Sequence, residues 1–309
     1  MITLHNLDRL VVFVTVVDKQ SLTEAAEELL LTQPGVSQHI KSLEETYGVR
    51  LLERKRRPAT PTEAGRTVYR FAKNILGLVE DLDHSISELR GAQVGKLHIG
   101  ASTPIGSYLL PPILIRFKRQ YPGAEIRLMI TTGDQIYQAL QHGDIQLGLT
   151  YAAKIPDDLP AEILCEEEMV LVVAPHHPLA SQGTVTVRQL AEQSFIVAPE
   201  GTPEGEILAQ AWRRMGLVPR VALTVDHVEA AKRAVQEGTV VCLVPRVCVA
   251  HELAAGDLAE LKIRDVRFRG HYRIIHSPFY QSPLLQHFLS FLRSEVAMLF
   301  PEGQSAAEA

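Results

Sequence analysis

The sequence predicts an α/β protein with three parts: a small helical N-terminal module, one long helix, and a larger domain in which strands and helices alternate. Three observations carry this prediction. Apolar residues recur at helical spacing across residues 1–61, a heptad-like apolar repeat follows across residues 62–91, and strand and helix patterns alternate across residues 92–301. Residues 302–309 form a short tail, and the length of 309 residues fits more than one domain.

Composition excludes several classes of protein. Hydrophobic residues make up 46% of the chain, too much for a disordered protein, and the formal net charge of −5 leaves no polybasic coat for nucleic acid or membranes. Only three cysteines occur, Cys165, Cys242 and Cys248, which is too few for a disulfide framework and favours the reducing cytoplasm. The apolar run Leu10–Val17 is shorter than the roughly 20 residues of a membrane span and lacks a signal-peptide cleavage pattern. We therefore expect a cytoplasmic protein with no membrane partner.

Three short helices separated by turns are predicted at the N-terminus. The first carries apolar residues spaced by three and four positions, namely Leu4, Leu7, Leu10, Val11, Val14 and Val17. The sequence Ser21–Glu24 is a capping box, which predicts a second helix from Leu22 to about Leu30. Thr32 can cap the third helix, since Pro34 is tolerated in a first turn whose amides have no intrahelical partner.

The third helix has two different faces. One face is expected to pack and contains Val36, Ile40 and Leu43, whereas the free side or its border carries Pro34, Ser37, Gln38 and Lys41. Two helices joined by a short turn, the second with small and amide side chains near its start, can place a helix in the major groove of DNA. There Gln pairs with adenine, and Lys pairs with guanine or phosphate. The alternative is a helical hairpin that binds no DNA.

A basic segment follows these helices. Between Arg50 and Lys73 there are eight basic residues and two acidic ones, although the chain as a whole is acidic. The stretch Val49–Pro61 lacks helical periodicity and predicts a wing, a small hairpin whose cations contact the DNA backbone: Arg54, Lys55, Arg56 and Arg57. A solvated charged loop is the alternative interpretation.

A long proline-free helix is predicted after Thr62, which can cap it. Apolar residues then alternate at spacings of four and three, at Val68, Ala72, Ile75, Val79, Leu82, Ile86 and Leu89. This seam predicts dimerisation through a coiled coil, which would set two reading helices on successive groove faces and favour a roughly palindromic DNA site. The alternative is an amphipathic helix that packs on its own domain.

Strands and helices alternate from residue 92 onward, which predicts parallel sheets covered by helices. A first series starts at the strand Leu97–Ile99, and a second runs from Met169 to about Ile263. A last strand and helix, at Tyr272–His276 and Leu284–Leu299, return to the first series. The predicted result is two lobes with a cleft between them, lobe I comprising residues 92–165 and 268–301 and lobe II comprising residues 166–267.

Ligands of open α/β folds bind beyond the carboxyl ends of strands, where helix N-termini present free amides. Three strand-to-helix turns carry hydroxyl groups, namely those at Ser102-Thr103, Thr131-Thr132 and Thr202. Each has a simpler interpretation as a helix cap. Their recurrence on both lobes favours a ligand site in the cleft. His227 opens another helix and is either a helix-cap histidine or a cation that titrates when a ligand binds.

The stretch from Ser21 to Arg66, SLTEAAEELLLTQPGVSQHIKSLEETYGVRLLERKRRPATPTEAGR, resembles the N-terminal region of LysR-type transcriptional regulators. The resemblance continues in order along nearly the whole chain. It implies a winged helix-turn-helix, a linker coiled coil, and a two-lobed effector-binding domain like the type II periplasmic binding proteins, usually assembled as a tetramer of two dimers. It implies promoter DNA and a small, often anionic effector as partners, with RNA polymerase as a further candidate.

The same resemblance assigns side chains to two sites. Those implied to bind DNA are Thr32, Gln33, Pro34, Ser37, Gln38 and Lys41, with Arg54, Lys55, Arg56 and Arg57 on phosphates. The effector is implied to bind between the lobes, near the turns at Ser102 and Thr202. The chain departs from the usual pattern at Leu52 and Pro61, and neither change touches an expected contact. It also departs at His227 and at Glu237–Val241, where the pocket is expected to differ in shape, so the identity of the effector does not carry over.

No feature of the sequence requires an enzyme, a metal or a cofactor. His176-His177 near Glu166–Glu168 suggests a metal site, but adjacent histidines on a strand point to opposite faces and chelate poorly. The cysteines lack Cys-x-x-Cys spacing and are expected to pack as small apolar groups, with redox sensing left open. The phosphate loop, nucleophile elbow and dinucleotide fingerprint are absent. We expect a DNA-binding regulator controlled by a small molecule; the alternative is a two-lobed small-molecule-binding or enzymatic protein whose N-terminal helices serve assembly.

Overall fold

The computed structural model describes residues 6–53, 58–89, 94–151, 155, 159–200, 202–263, 268–276 and 282–300. A helical N-terminal module, a long helix and a two-lobed α/β domain follow one another, as the sequence predicts. Leu4 of the first predicted helix, the wing cations Arg54 to Arg57 and the predicted tail lie outside the described residues. The residue boundaries of the domains stay predictions.

Three helices form the N-terminal module, namely α1 (Asn6–Lys19), α2 (Leu22–Glu28) and α3 (Gln33–Tyr47). They enclose one apolar core, in which Phe13, Val36 and Leu43 are fully buried. Ala25 and Ala26 of α2 are also buried in it, and these small side chains let α2 approach its neighbours closely. The helical periodicity of the sequence therefore identified the packed faces correctly.

The predicted helix caps are confirmed. The Oγ of Ser21 accepts a hydrogen bond from the backbone amide three residues later at 3.3 Å, and Oγ1 of Thr32 does the same at 3.2 Å. Helix α2 ends at Glu28, two residues earlier than expected. The reason is Leu30, whose φ of +55° cannot continue a right-handed helix.

The segment after α3 turns back as a small hairpin, as predicted for a wing. Leu52 and Pro61 form an antiparallel bridge, and the Glu53 amide donates to the Thr60 carbonyl at 2.9 Å. Glu44 on α3 holds the first arm of this hairpin, because its Oε1 accepts from the amides of residues 51 and 52 at 2.8 and 3.4 Å. The wing is therefore fastened beside α3.

Helix α4 (Glu63–Leu89) is the predicted linker helix, and its seam corrects the sequence analysis. Ala72 is buried and Val68 is half-buried in the N-terminal core, because this part of α4 packs on α1. The packing-on-its-own-domain alternative is therefore right for the first turns. Further along, large apolar side chains stay exposed, and we call them the exposed stripe: Phe71, Ile75, Leu78, Val79, Leu82 and Ile86. The side chain of Leu89 lies outside the described part of the chain.

Lobe I has a parallel centre. Its elements are β1 (Val94–Ala101), a π-type turn (Ile105–Leu109), α5 (Leu110–Gln120), β2 (Gly123–Ile130), α6 (Gly133–His142) and β3 (Leu147–Thr150). Strand β1 pairs in parallel with both β2 and β3. Strand β3 is buried along its whole length, as expected for a parallel strand covered on both faces.

Lobe II repeats this pattern. Its elements are β5 (Thr184–Val185), α7 (Val187–Ala191), β6 (Ser194–Val197), α8 (Pro203–Met215), β7 (Arg220–Thr224), α9 (Val228–Glu237), β8 (Val240–Pro245), α10 (Arg246–Ala255) and β9 (Ala259–Ile263). Strand β6 pairs in parallel with β7 and β8. The helix starts predicted at Thr202 and His227 are confirmed, as is the exit at Gly238.

Two long antiparallel strands connect the lobes, β4 (Ala161–Val173) and β10 (Phe268–His276). Strand β10 also pairs with β3 of lobe I, and β4 pairs with β8 of lobe II. Helix α11 (Pro283–Leu299) then returns to pack on lobe I. The main path through the sheet is β2-β1-β3-β10-β4-β8-β6-β7. The two predicted crossings are confirmed, and they leave a cleft between the lobes.

Candidate DNA-reading helix and interlobe cleft

Helix α3 presents a continuous polar face to solvent. The side chains predicted to read DNA are all exposed at its first three turns: Thr32, Gln33, Pro34, Ser37, Gln38 and Lys41. The opposite face of the helix is buried against the module core. Lys41 has a local ion pair, with its Nζ 3.8 Å from Oε1 of Glu45. Because both side chains of this pair are exposed, the pair can break at little cost when an anion approaches.

The support beneath this face includes one residue that the sequence analysis did not assign a role. Glu44 lies on α3 and binds the wing through two backbone amides, so the reading helix and the wing share one carboxylate anchor. A glutamate six to eight residues before a basic hairpin is too weak a sequence signal to reveal this contact. The contact holds residues 51 and 52, the first arm of the hairpin, beside α3.

A cavity of about 350 Å³ opens between the two lobes. All six side chains predicted for the effector site line it: Ser102, Thr103, Thr131, Thr132, Thr202 and His227. They come from the turns that follow β1, β2, β6 and β7, so the starts of four helical segments converge on one space. This convergence depends on the fold, since the four turns are far apart in sequence.

Ser102 is a buried polar residue of the cleft. The residue is 6% exposed, and its Oγ has no hydrogen-bond partner within the described part of the protein. Its backbone is firmly held, because its amide donates to the Leu149 carbonyl at 2.9 Å and its carbonyl accepts from the Gly106 amide at 2.8 Å. A buried polar group without a partner is costly. A ligand that bonds to this hydroxyl would remove that cost.

Three of the other polar side chains have local partners. Oγ1 of Thr131 donates to Oε1 of Gln135. Oγ1 of Thr202 donates to the Pro199 carbonyl at 2.7 Å and accepts from the amide three residues later at 3.0 Å. Nδ1 of His227 accepts from the Glu229 amide at 3.3 Å, which leaves the ring hydrogen on Nε2. The helix-cap interpretation is therefore correct for Thr202 and His227. Thr132, by contrast, makes no side-chain cap bond.

The cleft is polar at the helix starts and apolar elsewhere. Its apolar lining includes Met169, Ile196, Val225, Ala231, Cys242 and Val244. Among the described lining residues, Asp226 is the one carboxylate, and neither lysine nor arginine occurs. An anionic ligand would therefore be held by backbone amides at helix N-termini. The sequence analysis missed Gly133, which follows the hydroxyl turn at Thr131-Thr132, and Asp226, which directly precedes His227.

A second cavity, of about 610 Å³, is lined by residues of β4, α5, α10 and the end of α11. Its three arginines already pair with carboxylates: Arg116 with Glu295, Arg246 with Glu168 and Glu260, and Arg269 with Glu166. Glu167 is 1% exposed and accepts from the Val247 amide at 2.9 Å, and burial raises its pKa to about 7. The bonds of Glu168 to Arg246 and of Glu167 to the Val247 amide fasten α10 to the crossing strand β4.

The two adjacent histidines, His176 and His177, lie in a turn after β4 and not on a strand. The sequence Ala174–Ala180 resembles a surface turn of the LysR-type family, and the turn is confirmed. His177 is buried, and its Nδ1 accepts from the Leu179 amide at 3.1 Å, so it shapes the turn. No group of three or more His, Cys, Asp or Glu side chains that could hold a metal occurs among the residues with described positions.

All three cysteines are buried, as expected for small apolar groups. Burial raises the pKa of Cys165 and of Cys242 to about 12. At neutral pH both are therefore protonated thiols, which react slowly with oxidants and electrophiles. Within the described ranges, no helix is long and apolar enough to cross a membrane.

A polar reading helix beside a wing, joined by a long helix to two α/β lobes around a cleft, defines a winged helix-turn-helix protein with a separate ligand-binding domain. Comparison with known families agrees with this class. The model of the bacterial regulatory helix-turn-helix protein, lysR family, matches residues 7–66, and that of the LysR substrate binding domain matches residues 90–297. The chain therefore belongs to the LysR family and is a DNA-binding transcriptional regulator.

Individual relatives match along most of their length. The HTH-type transcriptional activator CmpR of a Synechocystis strain is 31% identical over 293 residues, which cover 94% of each chain. The HTH-type transcriptional regulator CysL of Bacillus subtilis is 28% identical over 288 residues, which cover 93% of this chain and 96% of CysL.

Solved structures show the same fold. A full-length OxyR variant from Pseudomonas aeruginosa superposes with a TM-score of 0.79 at 19% identity, covering 99% of this chain and 98% of OxyR. Full-length CbnR in complex with its target DNA superposes with a TM-score of 0.64 at 24% identity, covering 94% of this chain and 99% of CbnR. Both likenesses extend over the N-terminal module, the linker helix and the two lobes.

Proposed function

We propose that α3 enters the major groove of promoter DNA and reads base edges through its exposed face: Thr32, Gln33, Pro34, Ser37, Gln38 and Lys41. Amide and hydroxyl side chains suit that task, because each base pair presents a distinct pattern of donors and acceptors there. The wing cations bind phosphates and set the register of the helix: Arg54, Lys55, Arg56 and Arg57. The anchoring of the wing beside α3 by Glu44 supports this division of roles.

The exposed stripe on α4 supports a dimer. Six large apolar side chains on this helix are each at least 39% exposed. Exposure of apolar surface to water is unfavourable, so pairing of two such helices, which buries these side chains, lowers the free energy. Pairing would bring two reading helices to one DNA site and would match a two-fold symmetric sequence. A tetramer of two such dimers and a contact with RNA polymerase complete the proposal, and both come from the family resemblance.

The ligand site is the interlobe cleft. The observation that carries this part is the convergence of six predicted polar side chains from four turns of both lobes on one cavity, with the buried Ser102 hydroxyl unpartnered within the described structure. The ligand is a small metabolite with an apolar body and a carboxylate or similar anion, which the helix-start amides bind. A cavity of about 350 Å³ lies at the small end of ligand pockets.

Control of DNA binding then follows from a difference in affinity. A ligand that contacts both lobes binds their closed arrangement more tightly than an open one, so it shifts the population towards closure. The Ser102 hydroxyl has no hydrogen-bond partner within the described structure, so no base is bonded to it there. We therefore infer that the protein releases its ligand chemically unchanged and acts as a regulator, not as an enzyme. Its cytoplasmic location is inferred from the family resemblance.

The test is a melting screen of the purified protein against small mono- and dicarboxylates and other central metabolites. A compound present at about 100 times its Kd stabilises the native protein by about 2.7 kcal/mol. We expect at least one compound to raise the melting temperature, and we expect Ser102→Ala to lose more than half of that shift. Ser181→Ala, an exposed serine outside the cleft, serves as the matched control. Equal shifts in the Ser102 variant, or none in the native protein, would contradict the cleft assignment.

A further inference from the structure

Helix α6 connects the cleft to the linker helix. Its N-terminal end, at Thr132 and Gly133, lines the cleft. Its C-terminal end, at His142 and Gly143, faces α4. The helix has 10 residues, and at the helical rise its two ends are about 15 Å apart. One rigid element therefore touches both the ligand site and the rod that carries the DNA-binding module.

The far end of α6 makes defined contacts with α4. The ring of His142 packs edge-on against Tyr69, with ring centroids 6.4 Å apart. Just beyond the helix, Oδ1 of Asp144 lies 3.2 Å from Nζ of Lys73. The Asp144 amide donates to the Ala139 carbonyl at 2.9 Å, so Asp144 is attached to the last turn of α6 and moves with it.

The same two α4 side chains also contact the DNA-binding module. The Tyr69 hydroxyl donates to Oδ1 of Asp18, and Nζ of Lys73 lies 3.9 Å from Oδ2 of that carboxylate. Asp18 is in the last turn of α1, which packs directly on the reading helix α3. Lys73 therefore lies between a carboxylate of the effector domain and a carboxylate of the DNA-binding module. We call the five residues that make these contacts the junction: Asp18, Tyr69, Lys73, His142 and Asp144.

The packing of α6 on lobe I allows the helix to carry a displacement from the cleft to α4. Ile136 and Leu140 are buried against the sheet of lobe I, so the helix shifts as a body over a packed surface. Packed interfaces of this kind adopt discrete arrangements instead of deforming continuously. A change at Thr132 in the cleft is thereby converted into a change at Asp144.

We infer that α6 is the element that carries ligand occupancy to the DNA-binding module, and that Lys73 and Asp144 are the positioning residues of this control. The inference rests on the proposed ligand site in the cleft. When a ligand displaces the start of α6, Asp144 moves relative to Lys73. The ammonium group of Lys73 then redistributes between Asp144 and Asp18, and this alters the angle at which α1 and α3 leave the linker helix.

A double-mutant cycle tests the inference in the full-length chain without knowledge of the ligand. Thr132→Trp places a large side chain in the cleft at the start of α6, where the native residue is exposed and makes no cap bond. Asp144→Asn removes the charge at the far end. The probe is a DNA duplex selected from a random-sequence library with the native protein, and its affinity is measured by fluorescence anisotropy for both single variants and the double variant.

We expect Thr132→Trp to change duplex affinity by about threefold or more in the native background, and by less than about 1.5-fold when Asp144 is Asn. Lys73→Met should suppress the response in the same way, and Lys73→Arg, which keeps the charge, should restore it. A purely structural loss of stability would not show this pattern, because it would add to the effect of Thr132→Trp instead of cancelling it.

The matched control is Glu80→Gln. Glu80 also lies on α4 and contacts lobe I, with its Oε2 3.1 Å from Nζ of Lys96 on β1, so its ion pair is with β1 and not with α6. In a double-mutant cycle, the effects of Glu80→Gln and Thr132→Trp on the free energy of duplex binding should be additive. Additive behaviour in the Asp144 cycle too, or no response to Thr132→Trp in the native background, would overturn the inference about α6. Failure of the native chain to select any duplex would instead overturn the proposed DNA reading.

Discussion

The first turn of the reading helix and the first turn of a cleft helix use the same four-residue pattern in different surroundings. In α3, Thr32 caps the amide of Gly35 at 3.2 Å, and in α8, Thr202 caps the amide of Gly205 at 3.0 Å. A Cβ added at Gly35 would meet only the Thr32 hydroxyl, at 3.2 Å, whereas one added at Gly205 would come within 2.0 Å of the Pro199 carbonyl oxygen. The same cap thus faces solvent in one region and backbone in the other.

This difference separates two ways of building a functional surface. The first turn of α3 faces solvent, so we expect it to tolerate changes that alter recognition without altering the fold. The cleft turn is part of the packed backbone of lobe II, so a change there affects stability first. Regions that bind DNA and regions that bind a small molecule should therefore respond differently to equivalent substitutions.

The largest expected effect comes from the paired substitutions Gly205→Ala and Gly35→Ala. The first forces the α8 turn away from Pro199 and should cost about 3 kcal/mol of unfolding free energy. The second gains up to about 1 kcal/mol of helix propensity, offset by the tight contact with Thr32, and should stay within about 1 kcal/mol of the native protein. Urea unfolding monitored by circular dichroism measures both. Equal losses of unfolding free energy in Gly205→Ala and Gly35→Ala would contradict the proposed difference between the two turns.

The second effect is a pH dependence of the unfolding free energy that comes from the crossing strand β4. Burial raises the pKa of Glu167 from 4.5 to about 7 in the folded state. The native state therefore favours the protonated form, and this stability is fully present below pH 4.5 and is lost as pH rises towards 7. Between pH 5 and pH 8 the loss should be about 2 kcal/mol.

Glu167→Gln should remove this part of the pH dependence, because the amide cannot ionise. The measurement is the melting temperature of the native protein and of the variant at a series of pH values, compared as a difference at each pH. Glu166→Gln, an acid on the same strand that pairs with Arg269, is the matched control and should leave the slope in place. A difference between native protein and Glu167→Gln that does not vary with pH would contradict the assignment.

A smaller effect is expected when either cap hydroxyl is removed. Thr32→Ala deletes the acceptor for one helix-start amide and should cost about 1 kcal/mol of unfolding free energy. Thr202→Ala also deletes the donor to the Pro199 carbonyl and should cost about 2 kcal/mol. Differential scanning calorimetry of the two variants measures both costs. Equal costs at the two positions would contradict the difference between the turns.

Local patterns in the sequence were sufficient for much of the fold and for the elements that form the two candidate sites. The period of α3 separated its buried side from its exposed side because a helix of that length has only one face to pack. Strand-to-helix turns pointed to the cleft residues because parallel strands place their carboxyl ends at one edge. These are short-range rules, and the structure places all six cleft residues where the rules predict.

Contacts between distant segments could not be predicted. The apolar repeat of α4 is compatible with a dimer seam and with packing on the same chain, and only the position of α1 shows that Ala72 takes the second role. The ion pair of Lys73 with Asp144 joins the linker helix to the end of α6 and has no local sequence signal. The missing information in each case is the relative placement of domains, which depends on the sum of many contacts.

The central claim is that α3 reads DNA bases, and Gln38→Ala tests it most directly. Fluorescence anisotropy with the selected duplex and its single-base-pair variants measures discrimination at each position. We expect Gln38→Ala to lose about 5- to 100-fold discrimination at a particular base pair, the loss of one bidentate contact, with an unchanged melting temperature. Gln120→Ala, an exposed glutamine of lobe I, should leave discrimination intact. Discrimination by Gln38→Ala equal to that of the native protein at every position would contradict the account.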